Sequence, residues 1–136
     1  MAKILIVEDE KALNDAYRII LEKEGHTVDI AYNGEEALQK VDDVNPDIIL
    51  LDILMPKMNG LEFLREYDVL NKHKKTQVII LSNLDMDKEV KQAMELGASR
   101  YIVKARLSPK ELALLINHLI KKTDLKKPIR QKMLSH

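Results

Sequence analysis

Short apolar runs alternate with helical stretches along this chain. The runs are four to six residues long, too short for helices, and most are rich in isoleucine, leucine and valine, which is typical of strands buried in a sheet. Five strands are predicted, at residues 4–7, 26–31, 47–51, 78–81 and 100–103. Apolar residues at helical spacing predict helices over 12–24, 35–41, 60–70, 85–96 and 108–121.

The ends of the predicted helices carry residues that favour such ends. Gly25 follows the first helix as a natural stop. The last helix has a strong start, with Ser108 as cap, Pro109 at the first helical position and Glu111 three residues after the cap. Strands that alternate with helices imply a parallel sheet with helices on both faces, because parallel strands need crossover connections. The fold is therefore predicted to be α/β.

Composition restricts the classes of protein that fit this pattern. The 136 residues suit one domain, and 46% apolar with 32% charged residues can form a core. The 22 basic and 22 acidic residues cancel, so direct DNA binding by the whole chain is not expected. There is no cysteine, which excludes disulfides and thiolate zinc sites. No apolar run approaches the roughly 18 residues of a membrane span, and residues 1–9 lack a secretory h-region, so we expect a cytoplasmic protein without membrane contact.

The end of the chain differs in charge from the rest. Residues 121–136 contain six lysines or arginines and one aspartate, which makes this segment +5 and the remainder −5. We expect a domain over residues 1–121 and a basic tail over 122–136. The favoured interpretation of the tail is a solvated, mobile end. The alternative is a helix extension or docking arm that uses Ile129, Met133 and Leu134.

Charged and hydroxyl residues follow four of the five strands. Glu8 and Asp9 come after the first, Asp52 after the third, Ser82 after the fourth and Lys104 after the fifth. Each alone is more often a cap or a solvated side chain, but ligands of open parallel sheets bind where the strands end. Clustered carboxylates need a cation, and an all-oxygen set suits Mg²⁺. A carboxylate beside that ion can attack a phosphoryl group and form an acyl phosphate.

Four segments carry a family resemblance: Ile6–Glu10, Leu50–Gly60, Ile80–Ser82 and Gly97–Lys104. The middle one, an Asp followed by Met-Pro and Gly at these spacings, is highly specific. Over about residues 3–121 the chain resembles the CheY-like receiver domain of two-component response regulators. The resemblance implies a flavodoxin-like, doubly wound (βα)₅ three-layer sandwich, with a five-stranded parallel sheet in the order 2-1-3-4-5.

The resemblance also implies a phosphoacceptor and a magnesium site. Asp52 is similar to the residue that accepts the phosphoryl group from a phosphohistidine of a histidine kinase or phosphotransfer protein. Asp9 matches a direct Mg²⁺ ligand, Glu8 would assist through water, and Leu54 would contribute its backbone carbonyl. A receiver of this kind is not an enzyme on other substrates, since it catalyses only its own phosphorylation and dephosphorylation.

Three further positions match residues that respond to phosphorylation in the family. Ser82 would bind a phosphoryl oxygen, and Lys104 would pair with the phosphoryl group. Tyr101 matches the switch aromatic whose rotamer follows the hydroxyl residue, although an ordinary half-buried tyrosine also fits that position.

The chain departs from the family pattern near these residues. Ala105 stands where proline usually follows the lysine, so we expect a trans peptide and an altered loop before Ser108. Asn83 stands where a small residue is usual. Leu54 and Leu84 occupy the two positions that tune dephosphorylation, and neither can orient an attacking water. We therefore expect slow self-dephosphorylation.

The resemblance implies output through protein contacts. The signalling face of the family would comprise the fourth helix, fifth strand and fifth helix, about residues 85–96, 100–103 and 108–121. We expect a stand-alone receiver, monomeric or weakly dimeric through this face, acting on a downstream protein. The alternatives are a receiver excised from a longer regulator, a pseudo-receiver that binds protein without phosphotransfer, and a flavodoxin-type cofactor binder.

Overall fold

Five parallel strands form one sheet in the order β2-β1-β3-β4-β5, as the resemblance implied. The computed structural model describes the backbone of residues 1–83 and 85–133, and the side chains of 1–83 and 85–121. The strands are β1 (Lys3–Val7), β2 (Thr27–Ala31), β3 (Ile48–Asp52), β4 (Gln77–Ser82) and β5 (Arg100–Val103). The predicted strands therefore agree with the observed ones to within one residue at each end.

Five helices cross between the strands or follow the last one. They are α1 (Lys11–Lys23), α2 (Gly34–Val44), α3 (Gly60–Tyr67), α4 (Asp87–Glu95) and α5 (Pro109–Met133). The third was predicted to run to residue 70, but it ends at Tyr67. Asp68 adopts a left-handed conformation with φ 54°, and a separate short helix, Val69–Lys72, follows it. Aspartate tolerates this conformation better than most residues, and its backbone N–H still closes α3 on the Leu64 carbonyl.

The helices cover both faces of the sheet, which gives three layers. Alternate strand residues point to opposite faces. Leu5 and Val7 pack with α2, α3 and α4, whereas Ile4 and Ile6 pack with α1 and α5. The apolar runs lack an alternating pattern because both faces of the central strands are buried, and Ile48–Asp52 is buried at every position.

The backbone of residues 122–133 is helical. Helix α5 continues without a break past residue 121 to Met133, which agrees with the alternative of a helix extension over 122–133, while the solvated, mobile character of this segment stays a prediction. Lysine, leucine, arginine and glutamine favour helix, and extending an existing helix needs no new nucleus. Leu134 lies outside the described residues, as does Leu84.

Two further expectations concern the backbone and the membrane. No cis peptide bond occurs in the described part of the chain, so the expected trans peptide before Ala105 is confirmed. The loop that follows β5 opens with a 3₁₀ turn, Lys104–Arg106.

Among the described helices, none combines the length and the apolar character that crossing a bilayer requires.

Candidate functional site

Polar side chains meet at the carboxyl edge of the sheet. Asp52 ends β3 and Ser82 ends β4, while Glu8 and Lys104 come directly after β1 and β5. Strand register aligns them, since Asp52 is level with Leu81 on β4, one residue before Ser82. The sequence predicted this convergence from strand ends alone, and the structure brings the residues to one edge.

Three carboxylates form a cluster at this edge. Carboxylate oxygens of Glu8, Asp9 and Asp52 lie within 4.8 Å of one another. Glu8 is fully buried and Asp52 is 3% exposed, whereas Asp9 is open to solvent. Lys104 reaches into the cluster, with its Nζ 2.6 Å from Glu8 Oε1 and 3.0 Å from Asp52 Oδ2. Two buried carboxylates therefore share one ammonium group, and the third faces the solvent beside them.

The shortage of positive charge changes the ionisation of the cluster. Burial, followed by the charge of Glu8, raises the pKa of Asp52 to about 7, although Lys104 opposes the shift. Burial alone would lower the pKa of Lys104, but its contacts with Glu8 and Asp52 outweigh that effect and raise the pKa. The ammonium group therefore stays charged, while the carboxylates carry excess negative charge that a further cation would relieve.

The donor atoms at this edge fit a hard divalent cation. All three side chains offer oxygen, which Mg²⁺ prefers over nitrogen or sulfur. Glu8 Oε1 is buried, and its contact in the described structure is with the Lys104 ammonium at 2.6 Å. A buried carboxylate that already pairs with one cation suits the predicted role of Glu8 beside a second, and the exposed Asp9 leaves a route from solvent.

The loop after β3 contacts Asp52 through backbone groups. The backbone N–H of Leu54 donates to Asp52 Oδ1 at 3.3 Å, and the N–H of Gly60 donates to the Ile53 carbonyl at 2.9 Å. A Cβ on Gly60 would lie 2.4 Å from the Asp52 carbonyl oxygen. Only glycine allows the first residue of α3 to approach the end of β3 this closely. Asn59 then caps α3 through a capping box with Glu62.

The remaining predicted residues lie around the carboxylates and differ in their exposure to solvent. Ser82 is buried, and its hydroxyl donates to the Ile102 carbonyl on β5 at 3.3 Å. Tyr101 is 52% exposed on the outside of β5. The Leu54 side chain is also exposed, at 56% for the residue, beside the phosphoacceptor position. The structure thus places all three, and their roles on phosphorylation stay predictions.

Two residues of α1 were missed as parts of this region. Asn14 and Tyr17 are both buried beneath the carboxylates, on the face of α1 that they share with Leu21. Burial, followed by the charge of Glu8, raises the pKa of Tyr17 to about 12. The burial of Asn14 could have been predicted from the sequence, because residues 14, 17 and 21 share one helical face. A polar residue on a buried face needs hydrogen-bond partners.

Comparisons with known proteins agree with this geometry. Residues 4–117 match the family described as "Response regulator receiver domain". The chain is 37% identical over 120 residues to the transcriptional regulatory protein ResD of Bacillus subtilis, covering 88% of this chain and 48% of that protein. It is 35% identical over 123 residues to the transcriptional regulatory protein CpxR of Klebsiella pneumoniae, covering 90% and 51%. The chain thus spans about half the length of these curated relatives.

A solved structure shows the same fold. The crystal structure of a CheY-like response regulator receiver domain protein from Methanospirillum hungatei superimposes with a TM-score of 0.79 at 29% identity. The match covers 90% of this chain and 96% of that one. The similarity therefore extends over almost the whole sheet and its helices.

Proposed function

The chain belongs to the response regulator receiver domain family, and on that premise we propose that Asp52 accepts a phosphoryl group from a phosphohistidine in a Mg²⁺-dependent reaction. The donor would be a histidine kinase or a phosphotransfer protein. One observation carries the proposal: Asp52 lies within 4.8 Å of the Glu8 and Asp9 carboxylates and 3.0 Å from Lys104. An isolated cap or a solvated aspartate has no reason to be buried in such a group.

The chain's own residues supply most of what the transfer needs. A carboxylate oxygen of Asp52 attacks the phosphorus, the bond to the donor imidazole nitrogen breaks, and its electron pair stays on that nitrogen. The Lys104 ammonium would move from shared contact with Glu8 and Asp52 to the phosphoryl oxygens. Glu8, Asp9, Asp52 and the Leu54 carbonyl would hold Mg²⁺, whose charge offsets that of the phosphoryl oxygens.

The signal is proposed to leave through α4, β5 and α5. Ser82 already contacts β5 through the Ile102 carbonyl, so movement of its hydroxyl towards a phosphoryl group would release a bond between β4 and β5. Tyr101 lies on the outside of the same strand, where a change in its rotamer alters the surface that a partner contacts. Stand-alone action stays a prediction, since the chain spans about half the length of its curated relatives.

Intact-mass analysis with a small phosphodonor tests the phosphotransfer. We expect the native chain to gain one phosphoryl group with Mg²⁺ and none when EDTA removes the metal. Asp52→Asn should gain none, while Asp43→Asn, at an exposed carboxylate on α2, should behave as the native chain does. Equal labelling of the native and Asp52→Asn proteins would rule out Asp52 as the acceptor.

A protein-binding pseudo-receiver is the outcome if the chemistry fails altogether. No gain in mass from a small phosphodonor or a histidine kinase, together with no binding of Mg²⁺ or beryllofluoride, would favour that function. Binding of beryllofluoride with Mg²⁺ would instead support a working acceptor, because the complex mimics an aspartyl phosphate and needs the same oxygens.

A further inference from the structure

Asn14 contacts the turn that carries Asp9 at two points. Its side-chain Nδ2 donates to the Glu8 carbonyl at 3.0 Å, and its backbone N–H donates to the Glu10 carbonyl at 2.9 Å. These two carbonyls flank Asp9 along the chain. The same side-chain nitrogen also donates to the Ala31 carbonyl on β2 at 3.2 Å. The Asn14 side chain therefore joins the turn at Glu8 to the helix and to the sheet, while the bond to Glu10 is the first backbone bond of α1 and does not depend on the side chain.

The turn has few other supports. Glu10 begins α1 without a side-chain capping bond, and no acidic residue lies in the first turn of that helix. The Glu10 N–H donates to Glu8 Oε2 at 3.0 Å, and the Glu8 N–H donates to the Ala31 carbonyl at 3.1 Å. Asp9 makes no side-chain hydrogen bond within the described residues and is exposed. Its position thus depends on how firmly Glu8 and Glu10 are held.

Asn14 also leaves one polar atom without a partner. The residue is fully buried, and its Oδ1 has no hydrogen bond in the described structure. An orphaned buried acceptor lowers stability, so an apolar residue of similar volume would suit the helix-to-sheet contact better. The two bonds that Nδ2 donates go to strand-end carbonyls, and the one to Glu8 fixes the peptide plane that leads into Asp9.

From these contacts we infer that Asn14 is a positioning residue that orders the Glu8–Glu10 turn so that Asp9 binds the divalent cation. The inference rests on the proposed function, since it assigns Asn14 to the same cation site. Asn14 acts through the backbone and touches no reacting atom. Residues that orient metal ligands typically change metal affinity by about 10-fold to 100-fold when they are replaced.

Asn14→Leu tests this role, with Asn117→Leu as the matched control. The leucine keeps the number and branching of the side-chain heavy atoms of Asn14 and removes its side-chain donors. Asn117 is a partly buried asparagine of α5 that also bonds two residues, His26 and Glu24, but these lie where β2 begins and α1 ends, away from the carboxyl edge. Urea unfolding measures the change in general stability of each variant, so that an effect on the cation site can be judged beside it.

The Mg²⁺ dissociation constant is the deciding measurement, read from amide chemical shifts of residues 8–10 in NMR titrations. We expect Asn14→Leu to weaken Mg²⁺ binding by about 10-fold or more, and Asn117→Leu to leave it within about 2-fold of the native value. Phosphorylation of Asn14→Leu by a small phosphodonor should fall at low Mg²⁺ and recover at saturating Mg²⁺. Recovery at saturating Mg²⁺ would show that the variant has a lower affinity for the cation and an intact phosphoacceptor.

Each other outcome overturns the inference. Native affinity in Asn14→Leu, or equal weakening in both variants, would show that Asn14 has only a general structural role while phosphotransfer to Asp52 stands. Absence of Mg²⁺ binding by the native chain would overturn the proposed function and the inference with it. Should Asn14→Leu not fold, Asn14→Ala, which also removes the side-chain donor, is judged by the same criteria.

Discussion

Replacing Asp52 with asparagine is expected to stabilise the metal-free protein at neutral pH. Asp52 is 3% exposed, and burial together with the charge of Glu8 raises its pKa from 3.8 to about 7. The folded chain therefore keeps a proton that the unfolded chain releases near pH 4. Stability that is fully present below pH 4 is lost as the pH rises towards 7. Asparagine has no proton to lose and should not show this decline.

The size of the effect follows from the two pKa values. Each unit of pKa change corresponds to about 1.4 kcal/mol. The rise in the pKa of Asp52 from 3.8 to about 7 therefore lowers the unfolding free energy of the native chain by about 4 kcal/mol at pH 7. Asp52→Asn should therefore match the native chain near pH 4 and exceed its unfolding free energy by about 4 kcal/mol at pH 7. With a urea m-value of about 2 kcal/mol/M, the unfolding midpoints would differ by about 2 M.

Urea unfolding in EDTA between pH 4 and 8 measures this difference directly. Asp43→Asn, at an exposed carboxylate of α2, controls for the loss of one charge. Adding Mg²⁺ should reduce the gap, because a cation that binds only the folded native chain stabilises it. Parallel pH profiles for the native and Asp52→Asn proteins would refute the argument, since they would mean that ionised Asp52 is not disfavoured by its burial.

Three further predictions concern single residues. Gly60→Ala should lower the unfolding free energy by about 1–3 kcal/mol, because its Cβ would lie 2.4 Å from the Asp52 carbonyl oxygen; an unchanged urea midpoint would contradict this close approach. Leu54→Asn should shorten the lifetime of the aspartyl phosphate, measured by loss of radiolabel, since Leu54 cannot orient water; a native lifetime of seconds would contradict slow hydrolysis. Burial and the charge of Glu8 should delay ionisation of the Tyr17 hydroxyl to about pH 12 in an alkaline titration. The unfolded chain releases this proton near pH 10, so stability that is present below pH 10 is lost as the pH rises towards 12. Tyr17→Phe should remove the late ionisation step from the tyrosinate absorbance curve.

The order of strands and helices was readable from the sequence, because burial leaves a periodic pattern. The runs at Ile48–Asp52 and Gln77–Ser82 are apolar at nearly every position since helices cover both faces of their strands. Parallel strands place all their carboxyl ends at one edge, so residues that follow strands converge there. Glu8, Asp52 and Lys104 could therefore be assigned to a shared site before any distance was known.

Other features depend on short-range geometry that leaves no period in the sequence. The break at Asp68 required a left-handed residue between two helical segments, and apolar spacing continues across it. The sharing of Lys104 between Glu8 and Asp52 depends on how far the side chain extends from the end of β5.

Hydrogen bonds between distant residues could be decided only by tertiary packing. The Ser82 hydroxyl reaches the Ile102 carbonyl because the register of β4 on β5 places Ser82 level with Val103, the residue after Ile102. Asn14 reaches the carbonyls of Glu8 and Ala31 because α1 packs across the ends of β1 and β2. The sequence thus determined which residues are buried and at which edge they lie, since burial follows hydrophobic periodicity. The tertiary structure alone decided which donor meets which acceptor, because that depends on ångström-scale placement of separate elements.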